Sequence, residues 1–185
     1  MGMAISIPRY TVDDLERFPD DGNRYELLDG YLIVTPAPST AHQVVASRIQ
    51  AVLFEALARP GFAHVVGPGA VERRPRTQLQ PDILVFPTRF APTTHWRKIN
   101  EHWLAVEVLS PSSRVYDREM KRDAYFALGV QQVWIVDPLE YTVEVWKARG
   151  IGRTMRSRVV WNVASAKRRV QVELAEIFAG IEFDA

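Results

Sequence analysis

Cysteine is absent from all 185 residues. That removes disulfide frameworks, thiolate zinc centres, iron–sulfur clusters and cysteine nucleophiles together. It also fits a reducing cytoplasm, the expected compartment. Long apolar runs are lacking too. None approaches the ~20 residues that a membrane-spanning helix needs, so no membrane partner is expected. The opening from Met1 to Arg9 has neither the basic start nor the apolar stretch of a secretory signal. Glycine (10) and proline (12) are not in excess, which excludes collagen-like repeats and low-complexity disorder. Histidine is sparse, and positions 42, 64, 95 and 102 show no metal-ligand spacing. No Gly-x-Ser-x-Gly elbow surrounds Ser110, Ser112 or Ser113, and glycine-rich phosphate loops are missing. The expectation is one intracellular domain spanning residues 1–185.

Charge is present in nearly balanced amounts, with a net value of +1, but it is unevenly spread. Residues 1–30 hold seven acids against Arg9, Arg17 and Arg24. Residues 147–170 hold Lys147, Arg149, Arg153, Arg156, Arg158, Lys167, Arg168 and Arg169 and no acid. Such a block could face phosphates, although a solvated hairpin face is the first reading, since single-sign patches have many uses.

The apolar pattern predicts an α/β chain. Thr11 caps a short acidic helix. Tyr25–Val34 reads as a hairpin around Asp29-Gly30. A helix over Ala41–Ala58 carries Val44, Val45, Ile49, Val52, Leu53 and Leu57, capped by Ser39 or Thr40 and stopped at Pro60-Gly61. Ala63–Arg73 reads as one interrupted strand, and residues 88–100 as a polar loop. Ile83–Phe86, Leu104–Leu109 and Val133–Val136 are short apolar runs bounded by prolines or turns, hence buried strands. A helix from Tyr116 to Leu128, stopped by Gly129, links the last two with the length of a right-handed parallel crossover. Tyr141–Lys147 alternates and wants a hairpin partner. A strand at Arg169–Val172 and a helix at Leu174–Phe178 close the chain. The Trp-bearing strands near Val133 and Val143 are read either as core or as a dimer surface.

Two acids occupy these apolar strands. Asp82 opens one, and Glu107 interrupts Leu104–Leu109. Buried carboxylates are costly unless paired, hydrogen-bonded or bound to a metal. Two carboxylates with a backbone carbonyl and waters suit Mg²⁺. A turn cap and a Glu–Arg pair are the competing explanation, and spacing alone does not choose. On the following helix Asp117, Lys121 and Tyr125 share one face at i, i+4 and i+8. That places Lys121 either near the Glu107 strand or in a surface pair with Asp117.

These residues resemble, in order, the Uma-type endonuclease family of the restriction-endonuclease-like PD-(D/E)xK superfamily. The matching positions are Tyr25-Glu26-Leu27-Leu28-Asp29-Gly30, His42, Pro81-Asp82, Glu107 to Ser113, Asp117, Lys121, Tyr125, Gly129-Val130 and Trp134 to Pro138. The resemblance runs from Tyr10 to Phe183. It implies a restriction-endonuclease-like core with a mixed sheet flanked by helices, an N-terminal hairpin and a C-terminal β extension. It further implies a Mg²⁺- or Mn²⁺-dependent endonuclease acting on DNA, working as a homodimer. Asp82 and Glu107 would bind the metal, with the Val108 carbonyl as third ligand. Lys121 would be the catalytic lysine and Glu26 an assisting acid. His42 matches as well, yet a helix-start cap or a packed residue reads equally well there. The simple motif has its lysine two residues after the second acid; here Leu109 holds that place, so the lysine has moved onto the helix. The alternative function is a nuclease-fold nucleic-acid-binding or assembly module without turnover.

Overall fold

The computed structural model describes residues 8–93, 95–110, 116–147 and 150–182, with residues 116, 117 and 151 described by backbone alone. Pro111 to Ser113, Arg149, Phe183 and the Asp117 side chain therefore lie outside the described residues.

The acidic opening forms α1 (Val12–Leu15), where the Thr11 amide and hydroxyl both donate to the Asp14 carboxylate at 2.8 Å. Strands β1 (Arg24–Leu28) and β2 (Tyr31–Thr35) form the expected hairpin. Its turn needs two consecutive left-handed residues. Asp29 (φ 51°) and Gly30 (φ 84°) provide them, as in a primed hairpin turn. Helix α2 (Thr40–Leu53) follows, with the Ser39 side chain accepting from the His42 amide, and runs on into a π-helical turn at Phe54–Ala58. Its buried face is His42, Val45, Ala46, Ile49 and Leu53. Val44 falls outside that stripe, at 38% exposure, because three- and four-residue steps from Ile49 arrive at 45, 46 and 42.

The stretch expected as one strand is two: β3 (Ala63–Val66) and β4 (Val71–Arg73) join different sheets, separated by Gly67-Pro68-Gly69. Next come β5 (Thr77–Leu79), absent from the sequence reading, then β6 (Ile83–Pro87) and β7 (Leu104–Val108). A π-helical turn at Tyr116–Lys121 leads into α3 (Arg122–Ala127), and β8 (Gln132–Asp137) follows. Strands β9 (Thr142–Lys147) and β10 (Ile151–Met155) form the anticipated hairpin. A separate ribbon of β11 (Arg158–Val163) and β12 (Arg168–Glu173) precedes α4 (Leu174–Ile177).

The main sheet is mixed, with order β10-β9-β8-β7-β6-β3. Its one described parallel pair is β7–β8, joined by the predicted helical crossover. A second, antiparallel sheet has the order β2-β1-β5-β4. Every residue of β6, β7 and β8 is buried, as continuous apolar runs in a sheet covered on both faces should be. Alternate residues feed two cores. Ile83, Val85, Leu104, Val106, Trp134 and Val136 pack toward α2, the β11–β12 ribbon and α4. Leu84, Ala105, Val133 and Ile135 pack toward α3 and the second sheet. Trp134 meets Trp161 of the ribbon edge to face, with centroids 5.9 Å apart. The β8 tryptophan is thus core and presents no dimer surface, because the ribbon covers it.

Candidate active site

Asp82 and Glu107 meet because of sheet register. Strands β6 and β7 pair antiparallel with Ile83 opposite Val106, so one further step sets Asp82 opposite Glu107. Glu107 shares its side of β7 with Ala105, the side that α3 covers. Position 107 is therefore roofed by the crossover helix.

Around Glu107 the polar groups close into a network. Lys121 Nζ lies 3.3 Å from Glu107 Oε1 and 2.7 Å from Glu26 Oε2. The Tyr125 hydroxyl donates to Glu107 Oε1 at 2.5 Å. Glu26 Oε1 accepts from the Gln80 amide at 2.6 Å. Glu26 is fully buried, and Glu107 and Lys121 are each 1% exposed. The surface-pair reading of Lys121 is excluded by that burial.

Asp82 is held by a second set of donors. Arg24 Nη2 contacts its Oδ1 at 3.0 Å, while His42 Nε2 and the Val108 amide reach Oδ2 at 3.0 and 2.8 Å. Arg24 Nη1 also donates to the Gln80 carbonyl at 3.1 Å, so Gln80 ties both halves of the cluster together. Burial works to raise the Asp82 pKa, but His42, Arg24 and the Val108 amide outweigh it and lower it to about 2. Burial likewise opposes the Arg24 charge, yet attraction to Asp82, Glu107 and Glu26 raises its pKa overall. Burial first, then Glu107 and Glu26, push the Tyr125 hydroxyl well above its ordinary value, so it remains a donor.

The structure thus gathers Asp82, Glu107, Lys121 and Glu26 at one place, with His42 and the Val108 backbone beside them. His42 caps nothing with its side chain; it sits at the buried start of α2 and faces Asp82. The sequence pointed to it through the family resemblance, and the structure places it on the buried 42–45–46–49–53 stripe of α2. Arg24 and Gln80 were missed as site residues. Arg24 stands two residues before Glu26 on a strand, hence on the same face, which could have drawn attention to it.

The donor chemistry suits a hard divalent cation. Three carboxylates face one guanidinium and one ammonium, and each carboxylate oxygen offers two lone pairs, so bonding to Arg24 or His42 does not exhaust it. Among the described residues no three His, Asp or Glu side chains stand together at metal-holding spacing. A Mg²⁺ site requires only one or two carboxylates, completed by carbonyl and water oxygens.

A mixed sheet with α3 crossing between its parallel strands, and acids at β6 and β7, defines a restriction-endonuclease-like protein. Residues 12–184 match the sequence profile of the Uma2 family, described as "Putative restriction endonuclease", and the chain belongs to that family. Its fold is similar to the crystal structure of a "putative nuclease belonging to DUF820" from Anabaena variabilis, with a TM-score of 0.76 at 19% identity, covering 93% of this chain and 99% of that one. No curated protein matches the chain.

Proposed function

We propose that this protein is a Mg²⁺- or Mn²⁺-dependent endonuclease that hydrolyses phosphodiester bonds in DNA. One observation carries the reading: in a chain of the Uma2 family, buried Glu107 and Glu26 converge on Lys121, and buried Asp82, held by Arg24 and His42, stands opposite Glu107 in the sheet register. Asp82 and Glu107, with the Val108 carbonyl, would hold the metal. When bound, a divalent cation polarises the phosphate and makes the attacking water more acidic.

The chain's own groups position the reaction. Arg24 and His42 fix the Asp82 carboxylate, and the Tyr125 hydroxyl fixes Glu107. Lys121, an ammonium donating to two carboxylates, is aimed and suited to balancing charge as it develops on phosphorus. Glu26 holds Lys121 from the opposite side. A homodimer would set two such sites against the two strands of a duplex.

A specific observation favours a second reading, a nucleic-acid-binding module without turnover. Both Asp82 oxygens already have nitrogen partners, which neutralise it as a purely structural carboxylate would be neutralised. Nicking of supercoiled plasmid with Mg²⁺ or Mn²⁺, wild type beside Asp82→Ala, separates the two. Metal-dependent nicking that disappears in Asp82→Ala is expected. Binding without nicking by wild type, with affinity kept or raised in Asp82→Asn, supports the module, since removing negative charge near phosphate relieves repulsion. Within an active enzyme, Lys121→Met should lower turnover by about 10²–10³.

A further inference from the structure

Arg24 faces two ways. Its guanidinium holds Asp82, while the residue also lines a cavity of about 410 Å³ between α1, β1, β5 and the short turn at Trp96–Lys98. Gln80 lines the same cavity, and its backbone joins Arg24 and Glu26. A ligand there would stand one side chain away from the phosphodiester site. The size falls in the range of small-molecule pockets.

The lining favours a flat aromatic ligand over an anion. Trp96 is half-buried, braced edge-on by Phe86 with centroids 6.4 Å apart. Tyr25 stacks on Phe18 at 4.9 Å and an angle of 26°. Gln78 and Gln80 add carboxamides to the lining, of the kind that pair with base edges, the Gln80 amide nitrogen already donating to the Tyr25 carbonyl at 3.1 Å. Glu16 and Asp20 leave the rim negative, which repels a phosphate placed inside it. Glu72 adds little to that field, because Arg74 lies 2.6 Å from it.

We propose that this cavity takes one unstacked nucleobase of the substrate strand, stacked on Trp96, while the adjoining phosphate lies at Asp82 and Glu107. The protein then prefers a single strand, or a duplex with an unpaired nucleotide, over a fully paired duplex. This inference rests on the nuclease reading above.

Binding in metal-free buffer tests it without turnover. The probe is a 2-aminopurine oligonucleotide, offered single-stranded and fully paired, to wild type, Trp96→Leu and Trp96→Phe. Wild type should bind the single strand on the order of 10-fold more tightly than the duplex. Trp96→Leu should lose roughly 5- to 100-fold toward the single strand, the range for one base–aromatic stack, and leave duplex affinity unchanged. Trp96→Phe, which still stacks, should recover most of that loss. Equal affinity for both forms, an unaltered Trp96→Leu, or a Trp96→Phe no better than Trp96→Leu at wild-type melting temperature would each overturn the pocket. Plasmid nicking keeps the two claims apart. A wild type that nicks while showing any of those results defeats the pocket alone, whereas no nicking and no binding defeats the nuclease reading together with it.

Discussion

Lys121 is buried between Glu26 and Glu107, and its removal leaves two buried carboxylates without their ammonium. Breaking such a pair costs about 3–5 kcal/mol, so Lys121→Met should lower the urea-unfolding free energy by that amount. Adding Glu26→Gln should restore part of the loss, because one uncompensated charge disappears with it. A single-variant loss below about 1 kcal/mol would show that the cluster admits water. His102 supplies a second residue-scale expectation. It is 4% exposed, its Nε2 has no partner among the described residues, and burial lowers its pKa from 6.5 to about 4. The unfolded chain therefore takes up a proton below pH 6.5 that the folded one refuses until pH 4. The His102 contribution to stability is intact above 6.5 and falls away toward 4, by about 3 kcal/mol in all. Asp82, also a lowered group, loses its contribution in a separate window, as pH falls from 3.8 toward 2. Unfolding curves of wild type and His102→Phe should diverge in slope between pH 4 and 6.5. A pH-independent difference would mean that His102 titrates normally.

At the scale of elements, the link between β3 and β4 positions the site. A Cβ on Gly67 would lie 2.6 Å from the Asp82 carbonyl and 2.9 Å from Gln50 Oε1. Gly67→Ala should therefore push Asp82 out of register with Glu107 and reduce nicking at least 10-fold, with melting lowered by only a few degrees. Full activity in that variant would show that the segment can shift freely. Ser39, whose side chain accepts from the His42 amide at 3.3 Å, caps α2; Ser39→Ala should cost about 1 kcal/mol in urea unfolding. The elements that carry chemistry were legible in the sequence because β6, β7 and β8 are continuous apolar runs with a single acid at each relevant place. Strand β5 was not legible: three residues long and joined to β1 at Leu27–Gln78, it owes its existence to a tertiary partner. The same limit hid Arg24, whose site role depends on β1 lying beside Gln80. In the ribbon, β12 was seen because Val170 and Val172 alternate, whereas β11 lay within a basic segment whose charge masked the alternation of Val159, Trp161 and Val163.

Across the whole molecule, charge is segregated by construction. The acids of the opening are largely engaged locally: Asp13 with Arg74, Asp14 with Thr11, and Asp21 with Tyr25. The basic residues at the other end of the chain are not. Arg153, Arg156, Arg158, Lys167, Arg168 and Arg169 are all exposed, and none forms an ion pair among the described residues; the Arg168 guanidinium lies over the Phe62 ring at 4.4 Å. Arg153 sits on β10, Arg156 in the link to β11, and Arg158, Lys167, Arg168 and Arg169 on the β11–β12 ribbon and its turn, where Val159, Trp161, Val163, Val170 and Val172 are buried and the cations are left exposed. Outward cations displace condensed counterions from a bound polyanion, and each phosphate neutralised adds about 0.9 to the slope of log affinity against log salt. Replacing Arg153, Arg156 and Arg158 together by Ala should reduce that slope by up to about 2.7 and weaken DNA binding alike for every sequence. The proposed site, on the α3 side of the main sheet, should keep any nicking activity and its response to metal in this triple variant, because none of the three arginines has a contact with the Asp82–Glu107 cluster among the described residues. A slope equal to that of wild type would remove these three arginines from the DNA interface and leave their charge as a solvated surface.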